Sequence, residues 1–339
     1  MSQPALNSAI LHGGGVTRAQ AIFGGAWEDW LDLSTGLNPV PATLPQIDLA
    51  TWQRLPDARD VDAAAQAAAM FYGAQADRVL PVPGLQSVIQ LLPRLAEPSR
   101  RVAIMGPTYG EYARVFAQEG FALDLIHELD EITSAHGAVI LVNPNNPTGR
   151  ILSTPVLSGL LAKLQAQGTW LIVDEAFCDP TPELSLASLA GEPHLLVLRS
   201  FGKFFGLAGA RLGFALGDVM VLAKINSWLG PWSVSGPALR IAADVLSRDP
   251  APMIEALRKR RAALQLCLEN VRLKVIGGTD FFALVEHQQA FALHEHLARR
   301  QILTRVFDYH PHWMRIGLAA HESQDARLFA ALQSFGKES

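Results

Sequence analysis

The chain has 339 residues, with 49% hydrophobic and 18% charged side chains and a formal net charge of −4. That balance is ordinary for a globular enzyme and lacks the basic footprint of a nucleic-acid binder. No stretch approaches the roughly 18 uninterrupted apolar residues of a membrane span, because the most apolar one, 207–222, is broken by Arg211 and Asp218. The two cysteines, Cys178 and Cys267, have neither metal-ligand nor disulfide-framework spacing. A reducing, cytoplasmic setting without a metal is therefore expected. Residues 1–15 lack a basic start and an apolar core, so no secretory signal is expected.

Taken in order, residues 1–40 read as an irregular arm. Leu11-His12-Gly13-Gly14-Gly15 cannot lie inside a regular element, because three glycines cost too much backbone entropy there. A glycine run beside a histidine can bring backbone N–H groups and an imidazole to an anion, and it can equally be a flexible arm. Residues 30–33 form a strand candidate, followed by turn chemistry from Ser34 to Pro39. Residues 60–72 are alanine-rich and helical, with Gly73 as the C-cap. Pro83-Gly84-Leu85-Gln86-Ser87 opens a second helix running towards Leu95 and distorted at Pro93. A glycine at a helix entry exposes backbone N–H groups to a phosphate.

From Arg101 onward, apolar runs at 102–105, 138–142, 170–173, 195–198 and 212–216 alternate with helix-length segments. That spacing predicts βαβ units and a mostly parallel, buried sheet, with functional loops at the carboxyl ends of its strands. Four of the runs lead into candidate site loops: 106–109, 143–149, 174–177 and 199–203. Beyond Val234 the chain changes character. A helix over 251–270 carries Arg258, Lys259, Arg260 and Arg261, read as a solvated basic face. Strands at 273–276 and 281–285, a helix at 289–300, strands at 302–307 and 314–318, and a last helix to Phe335 complete a smaller α/β domain. The expected division is an arm over 1–40 joining the small domain, a large domain over 41–234, and a small domain over 235–339.

The chemistry concentrates in residues 199–213, where Ser200 lies three residues before Lys203 and Arg211 eight residues after it. A lysine at a strand end in apolar surroundings is desolvated, which favours the neutral amine that attacks an aldehyde. Ser200 and Arg211 suit a phosphate. Taken singly, Asp174 could be a helix N-cap, Tyr109 a core aromatic and Asn146 a turn former. Their order at successive strand ends argues for a site.

These segments together resemble the fold-type-I pyridoxal-phosphate enzymes of the class I/II aminotransferase superfamily. The motifs that carry the resemblance are Asn145-Asn146-Pro147-Thr148-Gly149, then Asp174-Glu175-Ala176 28 residues after Asn146, then Ser200-x-x-Lys203 with Arg211. The resemblance implies an α/β fold with a large, mostly parallel sheet flanked by helices and a smaller α/β domain. It implies pyridoxal 5'-phosphate as cofactor, joined to Lys203. Its phosphate would be held by Ser200, Arg211 and the backbone at Gly84, Leu85 and Gln86. Asp174 would pair with the pyridine nitrogen, Asn146 would hydrogen-bond the phenolic oxygen, and Tyr109 would stack on the ring. It further implies a homodimer with the cofactor near the interface.

Two positions depart from the common pattern. Phe177 and Leu55 stand where many members carry tyrosines, and the lost hydroxyls argue against a generic amino-acid transaminase. Residues 11–14, 174–177, 198–203 and 231–234 resemble the L-threonine-O-3-phosphate decarboxylases of cobalamin synthesis, relatives of histidinol-phosphate aminotransferase. That resemblance implies substrate-anion contacts at His12, Arg305 and Arg315. An arginine inside an apolar strand is costly unless it meets an anion, either a ligand or an internal carboxylate. Decarboxylation of a phosphorylated amino acid is the expected activity, with a phosphate-substrate aminotransferase as the alternative.

Overall fold

A computed structural model describes residues 13–335. Its strands in chain order are β1 (Leu31–Asp32), β2 (Val79–Val82), β3 (Arg101–Met105), β4 (Leu123–Ile126), β5 (His136–Val142), β6 (Trp170–Asp174) and β7 (Leu195–Ser200). They continue with β8 (Gly213–Gly217), β9 (Lys274–Thr279), β10 (Phe282–Glu286), β11 (Ile302–Leu303), β12 (Arg305–Phe307) and β13 (His310–Gly317). The chain forms two compact units. The larger comprises Pro41–Asn146 and Arg150–Pro250. The smaller takes Pro147–Gly149 with the described parts of Met1–Val40 and Ala251–Ser339.

The larger unit is built on a seven-stranded sheet in the order β2-β8-β7-β6-β5-β3-β4. Its middle strands are buried along almost their whole length and apolar except at their ends, because they are covered on both faces, as a buried parallel sheet requires. Helices Glu111–Gln118, Thr154–Gln165 and Val219–Leu229 pack on its strands. The ladders β3–β4, β3–β5, β5–β6 and β6–β7 are parallel, whereas β8 is antiparallel to both β7 and β2. The run at 212–216 is therefore a strand of the predicted sheet but runs against the others. Strands β2 and β4 escape the sequence pattern. Both are short edge strands, and Pro81 in β2 is tolerated because an edge strand need not donate on both sides.

The alanine-rich helix is Ala58–Tyr72. A reciprocal Asp57/Asp60 capping box starts it, and Gly73 ends it in the left-handed region at φ 71°. Against this helix packs Gly236–Val245, which keeps residues up to Pro250 in the larger unit. The expected boundary after Val234 thus differs from the division the fold makes. The helix expected from Pro83 to Leu95 is split into Leu85–Ile89 and a 3-10 turn over Leu92–Leu95 with Pro93 near its start.

In the smaller unit, β12-β13-β10-β9 form an antiparallel sheet, and β1 pairs in parallel with β11. The strand expected over 302–307 is two strands in different sheets. They break at buried Thr304, whose hydroxyl lies 2.9 Å from His294 Nδ1. The basic face of helix Ala251–Asn270 is only half solvated. Arg258 and Lys259 are exposed, but Arg260 binds Asp325 and the Ala319 carbonyl, and Arg261 donates to the Thr279 carbonyl at 3.1 Å.

The segment Pro147–Gly149 belongs to this unit because its backbone lies directly on β9. The Gly278 amide donates to the Thr148 carbonyl at 3.2 Å, and a Cβ on Gly149 would fall 1.9 Å from the Gly278 oxygen. Gly149 also has φ +73°. The substitution Gly149→Ala is expected to destabilise the protein by about 2 kcal/mol or more, read as a lower urea-unfolding midpoint. An unchanged midpoint would contradict this packing.

Candidate active site

The reversal of β8 decides which residues meet in the larger unit. Strands β2, β3, β5, β6 and β7 finish at one end of the sheet, and β8 begins there, since Gly213 is paired with both Val82 and Ser200. That end therefore collects the Gly84 turn after β2, the Tyr109 loop after β3 and Asn146 after β5. Asp174 closes β6, Ser200 and Lys203 follow β7, and Arg211 precedes β8.

Asp174 is buried, and both of its oxygens are engaged. Oδ2 accepts the Tyr112 hydroxyl at 2.7 Å and Oδ1 accepts the Ala176 amide at 2.9 Å. Burial raises its pKa above the ordinary carboxylate value, while Tyr112, the Ala176 amide and the charge of Lys203 pull it down. Lys203 sits in the short helical turn Phe201–Phe204, and its Nζ lies 5.7 Å from the centre of the buried Phe177 ring. A tyrosine hydroxyl is thus replaced by an apolar face beside the amine.

Gly84 adopts φ +75°, and a Cβ there would lie 3.1 Å from Arg211 Nη2. The turn, the guanidinium and, across the register, Ser200 therefore make a cradle that only glycine leaves open. Arg211 itself has φ +50°, in the left-handed region. Tyr109 is oriented by a chain of side chains. Its hydroxyl donates to Gln86 Oε1 at 3.2 Å, and Gln86 Nε2 donates to the buried Glu111 at 2.5 Å. Arg114 holds Glu111 from the other side at 2.5–3.1 Å. In the loop after β5, Asn143 is bonded to the Leu152 backbone and Asn145 to Thr108 and the Pro107 carbonyl. These two asparagines set the loop that presents Asn146.

The smaller unit holds a second cluster. Arg305 and Arg315 are directly opposite across β12 and β13, hence on one face of the sheet. Arg315 is buried, donates to the Ser34 carbonyl at 2.6 Å and lies 4.9 Å over the Phe282 ring. Burial, and then Arg305, lower its pKa to about 10. The Gly14 amide donates to Ser34 Oγ at 2.8 Å, and a Cβ on Gly13 would lie 2.4 Å from the Ser34 oxygen. The glycine run after His12 is thereby seated on the residue that anchors Arg315. His12 itself lies outside the described residues.

The model of the aminotransferases of class I and II matches residues 28–331. The chain belongs to that family. It is 53% identical over 328 residues to a threonine-phosphate decarboxylase of a Sinorhizobium species, covering 96% of this chain and 98% of the relative. It is 44% identical over 329 residues to a threonine-phosphate decarboxylase of Pseudomonas aeruginosa, covering 96% and 97%. The fold matches histidinol-phosphate aminotransferase of Sinorhizobium meliloti in complex with pyridoxal-5'-phosphate, with TM-score 0.82, 18% identity and coverage of 99% and 98%.

Pyridoxal phosphate is the cofactor of this aminotransferase-family chain, and the donor set at the sheet end fits it. The set offers an amine for the aldehyde, a buried carboxylate for the ring nitrogen and a glycine-dependent cradle for the phosphate. Leu55 is 64% exposed and presents no hydroxyl.

Sequence reasoning missed Tyr112, the second residue of the helix Glu111–Gln118 that follows the Tyr109 loop. It also missed a buried ionic cluster. Arg199 Nη1 bonds Glu175 at 2.7 Å and Nη2 bonds Asp179 at 2.5 Å, with the Tyr72 ring 4.4 Å from its Cζ. Burial works against this charge, but Asp179, Cys178 and Glu175 more than offset it, so Arg199 stays firmly protonated. The cluster ties the loop after β6 to the end of β7. Replacing Arg199 by Met leaves two buried carboxylates without their cation. It is expected to cost about 3–5 kcal/mol, measured by urea denaturation, whereas a loss under about 1 kcal/mol would mean the pair behaves as a surface bridge.

Proposed function

We propose that the protein decarboxylates L-threonine O-3-phosphate to (R)-1-amino-2-propanol O-2-phosphate, a step of cobalamin synthesis. One observation carries the reading. A lysine–carboxylate pair suited to pyridoxal phosphate occurs in a chain that also sets two arginines directly opposite each other across a sheet. Such a pair fits a substrate bearing two anions, here a phosphate and a carboxylate. The names of the relatives at 53% and 44% identity support the same substrate.

Bound pyridoxal phosphate supplies an aldehyde carbon that condenses with an amine and a ring that accepts the electron pair released at Cα. Lys203 Nζ would be the chain's amine for that carbon and the proton donor to Cα. Asp174 would keep a proton on the ring nitrogen. Ser200, Arg211 and the backbone at Gly84, Leu85 and Gln86 would hold the phosphate, with Tyr109 against the ring and Asn146 towards its phenolic oxygen. Arg305, Arg315 and His12 would take the substrate anions. Loss of CO2 would require the bond from Cα to the carboxylate, rather than the bond to hydrogen, to stand perpendicular to the ring, and the names of the relatives favour that outcome. One proton replaces the CO2 lost, and no keto acid is consumed.

The protein acts as a cytoplasmic homodimer. Leu44, Leu49, Trp52 and Leu55 are each more than half exposed within twelve residues, an apolar stretch suited to a second copy.

The test is a product assay on cofactor-loaded protein given L-threonine O-3-phosphate, without and then with 2-oxoglutarate. CO2 and aminopropanol phosphate are expected in both cases. Glutamate formed only with the keto acid, and no CO2, would instead establish an aminotransferase. Lys203→Ala abolishes the visible cofactor band. Arg305→Ala and Arg315→Ala keep that band and lower kcat/KM roughly a hundredfold.

A further inference from the structure

Tyr112 is wholly buried in the core beside Val102, Ile104, Val142 and Ile172, a setting that phenylalanine would fill equally well. Its hydroxyl must be bonded to be tolerated there, and its partner is the Asp174 carboxylate at 2.7 Å. The nearby Tyr109 hydroxyl is directed to Gln86 instead, with the two rings edge-to-face at 6.1 Å.

We infer that Tyr112 is a positioning residue whose hydroxyl keeps Asp174 ionised and aimed, so that the proton shared with the cofactor's ring nitrogen stays on nitrogen. This rests on the cofactor reading of the site. A buried carboxylate and a pyridine nitrogen compete for one proton on comparable terms, since burial disfavours the charged carboxylate. An O–H donor stabilises only the ionised carboxylate and therefore shifts the shared proton to nitrogen. Other charges acting on Asp174 are Lys203, which helps ionisation, and Glu175, which opposes it. Glu175 is in turn bonded to Arg199, so the hydroxyl and the Ala176 amide are the groups that touch the carboxylate itself. A ring nitrogen that keeps its proton is the stronger electron sink.

The experiment is nitrogen-15 NMR of ring-labelled pyridoxal phosphate bound to the protein. In Tyr112→Phe the ring-nitrogen resonance is expected to move towards that of neutral pyridine. Its kcat should fall roughly tenfold, with KM nearly unchanged. 3-Fluorotyrosine at position 112 keeps the shape but donates more strongly, and should move the resonance the opposite way even if Tyr112→Phe folds poorly. In an Asp174→Asn background the Phe substitution should add nothing. An unmoved resonance in either folded variant, or the same loss of kcat without Asp174, overturns the assignment and leaves Tyr112 as packing. A wild-type protein that takes up no cofactor overturns the site reading together with this assignment, and is recognised by its missing visible band.

Discussion

A carboxylate is buried at the end of a sheet whose central strands are covered on both faces. Asp174 sits there, where burial raises its pKa, and its neighbours act against that shift. Tyr112 and the Ala176 amide supply donors, and Lys203 supplies the opposing charge. The next residue, Glu175, is a second buried carboxylate that would repel the first. Its charge is taken by Arg199, the Ser185 hydroxyl at 2.5 Å and the Leu186 amide at 2.7 Å. Adjacent acids at one strand end thus have opposite assignments. One is proposed to face a ring nitrogen, and the other is paired with Arg199 and locks the loop.

Topology supplies the remaining parts. Were β8 parallel to its neighbours, Arg211 would fall at the far end of the sheet and the Gly84 turn would face no cation. Reversing one strand brings residues more than a hundred positions apart in the chain to one end of the sheet, in an arrangement suited to a phosphate. The same reversal explains the glycine at position 213. A Cβ there would lie 2.9 Å from both the Arg199 carbonyl and Leu85, at the point where β2, β7 and β8 crowd together.

Much of this was legible in the sequence. The five buried runs and the loops after them follow from periodicity, because strands buried on both faces must be mostly apolar. Edge strands β2 and β4 were not legible, since β2 is a four-residue run interrupted by Pro81 and β4 mixes an aspartate with an exposed leucine. The direction of β8 was hidden as well, because an apolar run of five residues reads the same in either sense. For Arg199 the signal was present. The argument that an arginine in an apolar strand demands an anion singled out Arg305 and Arg315, and it applies with equal force to the run ending Leu198-Arg199. There the anions proved to be internal carboxylates from a loop 20–24 residues upstream. Tyr112 was invisible for a different reason: at a position that looks like core, only the partner of a hydroxyl separates a functional tyrosine from a packing one.

The two arginine environments show how the same residue type serves opposite ends. Arg199 faces two carboxylates, so its charge is satisfied before any ligand arrives. Arg305 and Arg315 face each other, and like charges directly opposite across a ladder destabilise it. The Ser34 carbonyl, the face of the Phe282 ring and the more distant charge of Asp32 all act on Arg315. On the proposal that the two arginines take the substrate anions, an arriving phosphate would relieve that repulsion, and part of the binding free energy would be its removal. A protein selected only for stability would place a carboxylate opposite Arg315. On the proposed reading, an arginine there lowers stability in exchange for affinity, the usual direction of compromise at a functional site.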